Sequence, residues 1–262
     1  MNNETTNSNA AAHDAQVQSQ FGARANSYVT SAVHSTGEDL AALTAIVADA
    51  KPARAIDLGC GGGHVSYAMA AHAGRVVAVD LSADMLAAVA RTAAERGLGN
   101  IETVETSVES LPFDSGHFDF LGCRYTAHHW HDVTAGLREG RRVLKAGAPA
   151  VFIDVIAPAH PLLDTHLQAV ELLRDTSHVR DYSLQEWTAM LGQARFGLQK
   201  VRTFRVKMEF DTWIRRMATP ADLAQTIRRL QVLAASEVKQ HFEIEPDGSF
   251  MLDMAMFETI AI

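Results

Sequence analysis

Two carboxylates and a glycine-rich turn are the residues whose types and spacing could do chemistry first. An apolar run, Ala55-Ile56, leads into Asp57 and then Gly59-Cys60-Gly61-Gly62-Gly63, and the next apolar run, Val77-Ala78-Val79, ends on Asp80. Glycines in a tight turn supply backbone angles that other residues avoid and let a ligand approach bare backbone. A turn that leaves a strand and opens a helix lies where open α/β sheets bind ligands, outside the carboxyl ends of their strands. The dinucleotide fingerprint G-x-G-x-x-G would need a third glycine at position 64, which is His64. Asp57 would also repel a pyrophosphate while suiting an ammonium. Asp80, ending the next strand, is placed to accept hydrogen bonds from two ribose hydroxyls. Cys60 within the turn reads as a small filler whose backbone matters more than its thiol.

A second group is His128, His129 and His131. Adjacent histidines tend to point apart, and no carboxylate is spaced to complete a metal set, so the metal reading is set aside. With a pKa near about 6.5, a histidine can remove a proton from a phenol, a carbon acid or an amine at neutral pH, and His128 and His129 are the candidate catalytic residues.

The elements that must position these groups follow from periodicity. From residue 53 onward strand-like and helix-like segments alternate: strands over 53–58, 75–80, 101–105, 118–123 and 148–155, with helices over 64–72, 82–97 and 133–144. Such alternation predicts a parallel sheet with helices on both faces. Helical patterns follow over 161–175, 183–194 and 211–241, the last with an internal start at Thr219-Pro220. Late strands over 198–210 and 250–260 predict an antiparallel edge. Residues 1–14, mostly Asn, Thr, Ser and Ala, read as a flexible tail, followed by helical segments up to residue 50.

The whole-chain balance narrows the partners. The chain has 262 residues, a formal charge of −8 and 47% hydrophobic residues, enough for one large domain over 15–262 with a buried core. Its basic residues are spread, which gives no footprint for nucleic acid or an anionic membrane. Two cysteines, Cys60 and Cys123, make no disulfide framework, and the cytoplasm is the expected compartment. No run approaches the roughly 18 apolar residues of a membrane span.

Ribose, an amino-acid tail and no phosphate together describe S-adenosylmethionine. The segment from Ala55 to Gly63 resembles motif I of class I methyltransferases, and Val77 to Ser82 resembles their second strand with its acidic terminus. Ser107-Val108-Glu109-Ser110-Leu111-Pro112-Phe113 is similar to the adenine-framing segment of the UbiE-like branch, with Ser107-Val108 where Asp-Ala is usual. His117-Phe118-Asp119-Phe120 and Arg141-Arg142-Val143-Leu144-Lys145-Ala146-Gly147 are similar to the "FD" and "RVLKPGG" signatures. Cys123 to Trp130, Ser177 to Arg180, Trp213-Ile214 and Thr219 to Asp222 resemble a bacterial YcgJ-like subgroup.

This resemblance implies a Rossmann-like, seven-stranded fold with an antiparallel edge strand, an N-terminal helical lid over 15–50, a cofactor-binding core over 51–157 and acceptor-site helices over 158–262. It implies that Asp57, Gly59, Cys60, Gly61 and Gly63 hold the amino-acid end and Asp80 the ribose. Leu81, Ser107 and Val108 would frame the adenine, Cys123 and Arg124 would floor the methyl site, and Tyr28 of the lid would reach the methionyl end. Phe21, Arg24 and His34 share that lid, and Arg180 is a candidate for an anionic acceptor group. The implied reaction is methyl transfer to a small-molecule acceptor by a monomer or homodimer, giving S-adenosylhomocysteine. An NAD-dependent oxidoreductase and a non-catalytic adenosyl-ligand binding protein remain as alternatives.

Overall fold

A computed structural model describes residues 2–22 and 37–262 of the protein. Helix α1 (Asn2–Gly22) comes first, then α2 (Glu38–Ala50). Strand β1 (Arg54–Leu58), helix α3 (His64–Ala70), β2 (Arg75–Asp80), α4 (Ala83–Glu95) and β3 (Ile101–Glu105) form the first half of the sheet. Strand β4 (Phe120–Arg124), a short 3₁₀ turn (Ala127–His129), α5 (Val133–Val143) and β5 (Pro149–Ala157) continue it. The remainder is α6 (Pro161–Arg174), β6 (Tyr182–Ser183), α7 (Leu184–Gln193), β7 (Phe196–Met208), α8 (Phe210–Met217), α9 (Ala221–Leu233), α10 (Ser236–His241) and β8 (Phe250–Ala261).

The strand order is β3-β2-β1-β4-β5-β8-β7, with the two-residue β6 attached to the end of β5. All pairs from β3 to β5 are parallel, while β8 runs antiparallel to both β5 and β7. The expected seven-strand path with an antiparallel edge is therefore present, and β6 is an addition too short to read from periodicity. Because β1 lies between β2 and β4, chain connections leave it in opposite directions along the sheet, and a crevice opens beyond its carboxyl end.

Alternation along the strands supplies two apolar layers. Ile56, Leu58, Phe152 and Phe257 pack with Leu137 of α5 and Trp187 of α7, while Ala55, Phe120 and Ile153 pack with Leu43 and Val47 of α2 and Met69 of α3. Each fully buried large side chain contributes about 1.5–3 kcal/mol, so these layers make the sheet a rigid frame. A third cluster joins Leu167 of α6, Trp213 of α8, Ile227 of α9 and Leu252 of β8.

Two expectations need correction. Residues 1–14, read as a tail, lie in α1 from Asn2 onward, because the alanines at 10–12 favour helix and the following turns dock on the core. The helical stretch over 211–241 breaks at Ala218 and Pro220, where an internal start was expected, and a second time at the extended Ala234 and Ala235, which was not, so it is three helices. Arg24, Tyr28 and His34 fall outside the described residues. No helix of the described chain is long and apolar enough to cross a membrane.

Candidate active site

The turn after β1 is held open by backbone geometry that only glycine accepts. At Gly59, φ is +63°, and a Cβ there would lie 2.1 Å from Thr126 Oγ1, so the floor of the crevice is bare backbone. Asp57 sits beneath it, 1% exposed, accepting a hydrogen bond from Ser66 Oγ of α3 at 2.6 Å. Burial pushes its carboxyl up to about 7, against the lowering effect of that hydrogen bond. Asp80 closes the turn from the neighbouring strand: Gly61 N–H and Ser82 N–H each donate to one of its oxygens at 2.9 Å. Burial raises its pKa as well. Each oxygen keeps a lone pair for a hydroxyl donor.

These groups line a cleft of about 960 Å³, open to solvent. Its walls include Leu81 and Met85 after β2, Ser107, Val108 and Glu109 after β3, and Arg124 and Thr126 after β4. Helix α1 forms a further wall through Asp14, Val17 and Phe21. Gln18 Nε2 donates to the Leu81 carbonyl at 2.9 Å, Gln16 Nε2 to that of Thr176 at 2.7 Å, and His13 Nε2 to that of His129 at 2.8 Å. Arg124 is fixed by a buried ion pair, Nε to Asp39 Oδ2 of α2 at 2.6 Å.

A second cavity of about 650 Å³, also open to solvent, adjoins the first, and Phe21, Tyr125 and His129 line both. Its remaining walls mix Val155, Met208, Trp213, Leu252 and Met254 with the acids Glu171, Asp175 and Asp181 and the basic residues His128, Arg174 and Arg216. The two adjacent histidines differ sharply in character. His128 places Nδ1 2.6 Å from Asp154 Oδ1; burial opposes its charge, but the carboxylate overcomes this and lifts the imidazole to about 9. His129 is driven down to about 3 by burial and by the positive charge on His128. At neutral pH the pair is one imidazolium and one neutral ring, with centroids 4.3 Å apart.

Comparison with known proteins decides the family. A profile described as "Methyltransferase domain" matches residues 56–152. The methyltransferase YcgJ of Bacillus subtilis is 33% identical over 86% of this chain and 89% of its own length. The chain belongs to the class I S-adenosylmethionine-dependent methyltransferases. The Escherichia coli protein YafE is 44% identical to this methyltransferase over 75% of the chain and 95% of YafE. The crystal structure of YcgJ superposes with a TM-score of 0.81 at 32% identity, covering 85% of this chain and 97% of that one.

Within this methyltransferase the cleft brings together Asp57, Gly59, Cys60, Gly61, Asp80, Leu81, Ser107, Val108, Arg124 and His129. Gly63 stands outside the lining and instead starts α3 with φ +79°, against the Tyr67 ring. Cys123 is packed into the apolar layer beside Leu121, because the alternation of β4 turns it away from the crevice. His128 faces only the second cavity. Arg180 lines neither cavity and is taken up by Asp164 at 3.1 Å and Glu186 at 3.4 Å. Sequence reasoning overlooked Asp39, Asp154 and Asp175. Of these, Asp154 had a readable signal, since a carboxylate inside the apolar run Val151-Phe152-Ile153 repeats the pattern of Asp57 in β1.

Proposed function

We propose that this methyltransferase transfers a methyl group to a small-molecule acceptor held in the second cavity, leaving S-adenosylhomocysteine. The observation that carries the proposal is the junction of the two cavities at Phe21, Tyr125 and His129, behind a turn whose acids suit an amino-acid ribonucleoside. The residues fit S-adenosylmethionine. Asp57 offers a buried carboxylate to an ammonium, the bare backbone at Gly59 and Gly61 admits the methionyl chain, and Asp80 retains acceptor capacity for ribose hydroxyls. Leu81 and Val108 would cover the adenine faces, with Ser107 and Glu109 at its edge.

When bound, S-adenosylmethionine supplies an electrophilic methyl group on an excellent leaving group. The protein's task is therefore alignment and exclusion of water. The sheet fixes the turn, α1 covers the cleft, and the neutral ring of His129 presents hydrogen-bonding capacity at the junction without adding positive charge beside a sulfonium. His128, held as an imidazolium by Asp154, orients polar groups of the acceptor and becomes a base only once it has lost its proton.

The experiment is calorimetric titration with S-adenosylmethionine, S-adenosylhomocysteine and NAD, followed by incubation with methyl-labelled donor and a panel of small phenols, quinones and amines. Binding of both adenosyl ligands and labelled small-molecule product are expected. Binding of NAD alone, or cofactor binding with no labelled product from any acceptor, overturns the proposal.

A further inference from the structure

The second cavity holds two hydrogen-bond acceptors that face each other with no proton between them. His129 directs Nδ1 at the Ser177 carbonyl, 3.2 Å away. A carbonyl only accepts, so Nδ1 carries the hydrogen and Nε2 of the neutral ring presents a lone pair. That lone pair lies 3.9 Å from Asp175 Oδ2, beyond hydrogen-bonding distance. Asp175 spends Oδ1 on the N–H and O–H of Ser177, at 2.9 and 2.6 Å. Its Oδ2 is buried and has no hydrogen-bond partner among the described residues. Both residues line the cavity.

A buried acceptor left unsatisfied costs about 1–3 kcal/mol, so this pair calls for a bridging group. A hydroxyl has one proton and would leave the other acceptor facing a lone pair. A primary amine has two, and a nitrogen about 2.9 Å from each acceptor fits the gap. With both N–H bonds committed, its own lone pair remains uncommitted. We propose that the methyl acceptor is a primary amine whose nitrogen is seated between His129 Nε2 and Asp175 Oδ2. This rests on the methyl-transfer reading above.

In the rest of the cavity, Val155, Met208, Trp213, Leu252 and Met254 suit an apolar body, and the charged walls carry both signs, with Glu171 and Asp181 beside Arg174, Arg216 and His128. The entering ammonium gives one proton to water. The nitrogen lone pair then forms the N–C bond as the C–S bond breaks, and sulfur keeps the electron pair. Both N–H bonds survive on the secondary ammonium product, still directed at the same acceptors.

The test uses matched pairs, 2-phenylethylamine against 2-phenylethanol and hexylamine against hexanol, titrated into the full-length protein saturated with S-adenosylhomocysteine. At least one amine is expected to bind more than about tenfold tighter than its alcohol, the scale of one charge-assisted hydrogen bond. Asp175→Asn, which sets an amide N–H opposite Nε2, is expected to erase that preference. Imidazole ¹⁵N spectra of the unaltered protein are expected to show the Nδ1–H form of His129, perturbed on adding the amine. Equal binding of the alcohols, no amine binding, an unchanged preference in the variant, or a proton on Nε2 each overturns the inference. S-adenosylhomocysteine binding is measured first: its absence overturns the methyl-transfer reading as well, whereas its presence without an amine preference overturns this inference alone.

Discussion

At the scale of single residues, the site depends on acids that burial has changed. Asp57 titrates near about 7 because the strand interior disfavours its charge, so roughly half of it is protonated at pH 7 in the unliganded protein. An ammonium placed against it favours the ionised form. Cofactor binding at pH 7 should therefore release up to about half a proton. Calorimetry in two buffers of different ionisation enthalpy reads this directly, and Asp57→Asn should abolish the difference; identical heats in the unaltered protein would remove Asp57 from the ammonium site. The place of Asp57 beneath the glycine turn was legible in the sequence, as a lone carboxylate in an apolar strand ahead of glycines. The opposite charge states of His128 and His129 were not, because Asp154, which decides them, lies 26 positions away from His128.

At the scale of elements, α1 and α2 complete a site that the sheet only begins. Phe21 of α1 meets the His129 ring edge-on at 4.9 Å, and the Gln16 and Gln18 amides tie the same helix to the loops on either side. Removing residues 1–22 takes away one wall of the cleft but no strand and neither main apolar layer. Its expected effect is a loss of more than about tenfold in S-adenosylmethionine affinity, the scale of a lost apolar and hydrogen-bonding wall. The far-ultraviolet circular dichroism should still report a folded sheet; unchanged affinity would mean that α1 is not part of the site. Helix α2 acts from behind, through the buried Asp39 carboxylate on Arg124. Asp39→Ala leaves that guanidinium without its carboxylate partner and should cost about 3–5 kcal/mol in urea unfolding, whereas an exposed pair would cost under about 1 kcal/mol. A loss below 1 kcal/mol would show that Arg124 finds another partner. The strands and most helices behind these contacts were readable from their periods, and the break of 211–241 at Pro220 was half-seen as an internal start. A lid from residue 15 onward was expected from the family resemblance, whereas the helix through residues 2–14 was not, because its polar sequence carries no apolar stripe and its contacts from His13 to Gln18 are bonds to distant loop carbonyls.

At the scale of the whole molecule, the buried groups set how stability changes with pH. His128 holds its proton up to about 9 in the folded chain and to about 6.5 in the unfolded one, so its contribution is complete below pH 6.5 and is lost as pH rises through 9. Asp57 acts in the same direction at lower pH, since its folded form keeps a proton up to about 7 while the unfolded carboxyl ionises near 4. His129 runs the other way, but its effect is complete above pH 6.5. Between pH 7 and 9 the unliganded methyltransferase should therefore lose on the order of 2–3 kcal/mol, measured by urea unfolding, and His128→Gln should flatten that slope. A stability that rises over this range would mean that His128 is neutral in the native state.

The sequence by itself determined the sheet, its antiparallel edge, the glycine turn and the two acids that flank it, because these follow from local period, backbone conformation and charge. Only the tertiary structure decided what stands around them. It turned Cys123 into the core, set α1 across the cleft, gave His128 its aspartate and His129 its neutral ring, and left Nε2 of His129 facing Asp175. The physical reason is distance along the chain. A turn is chosen by its own residues, whereas a titrating side chain takes its charge from whatever the fold packs against it.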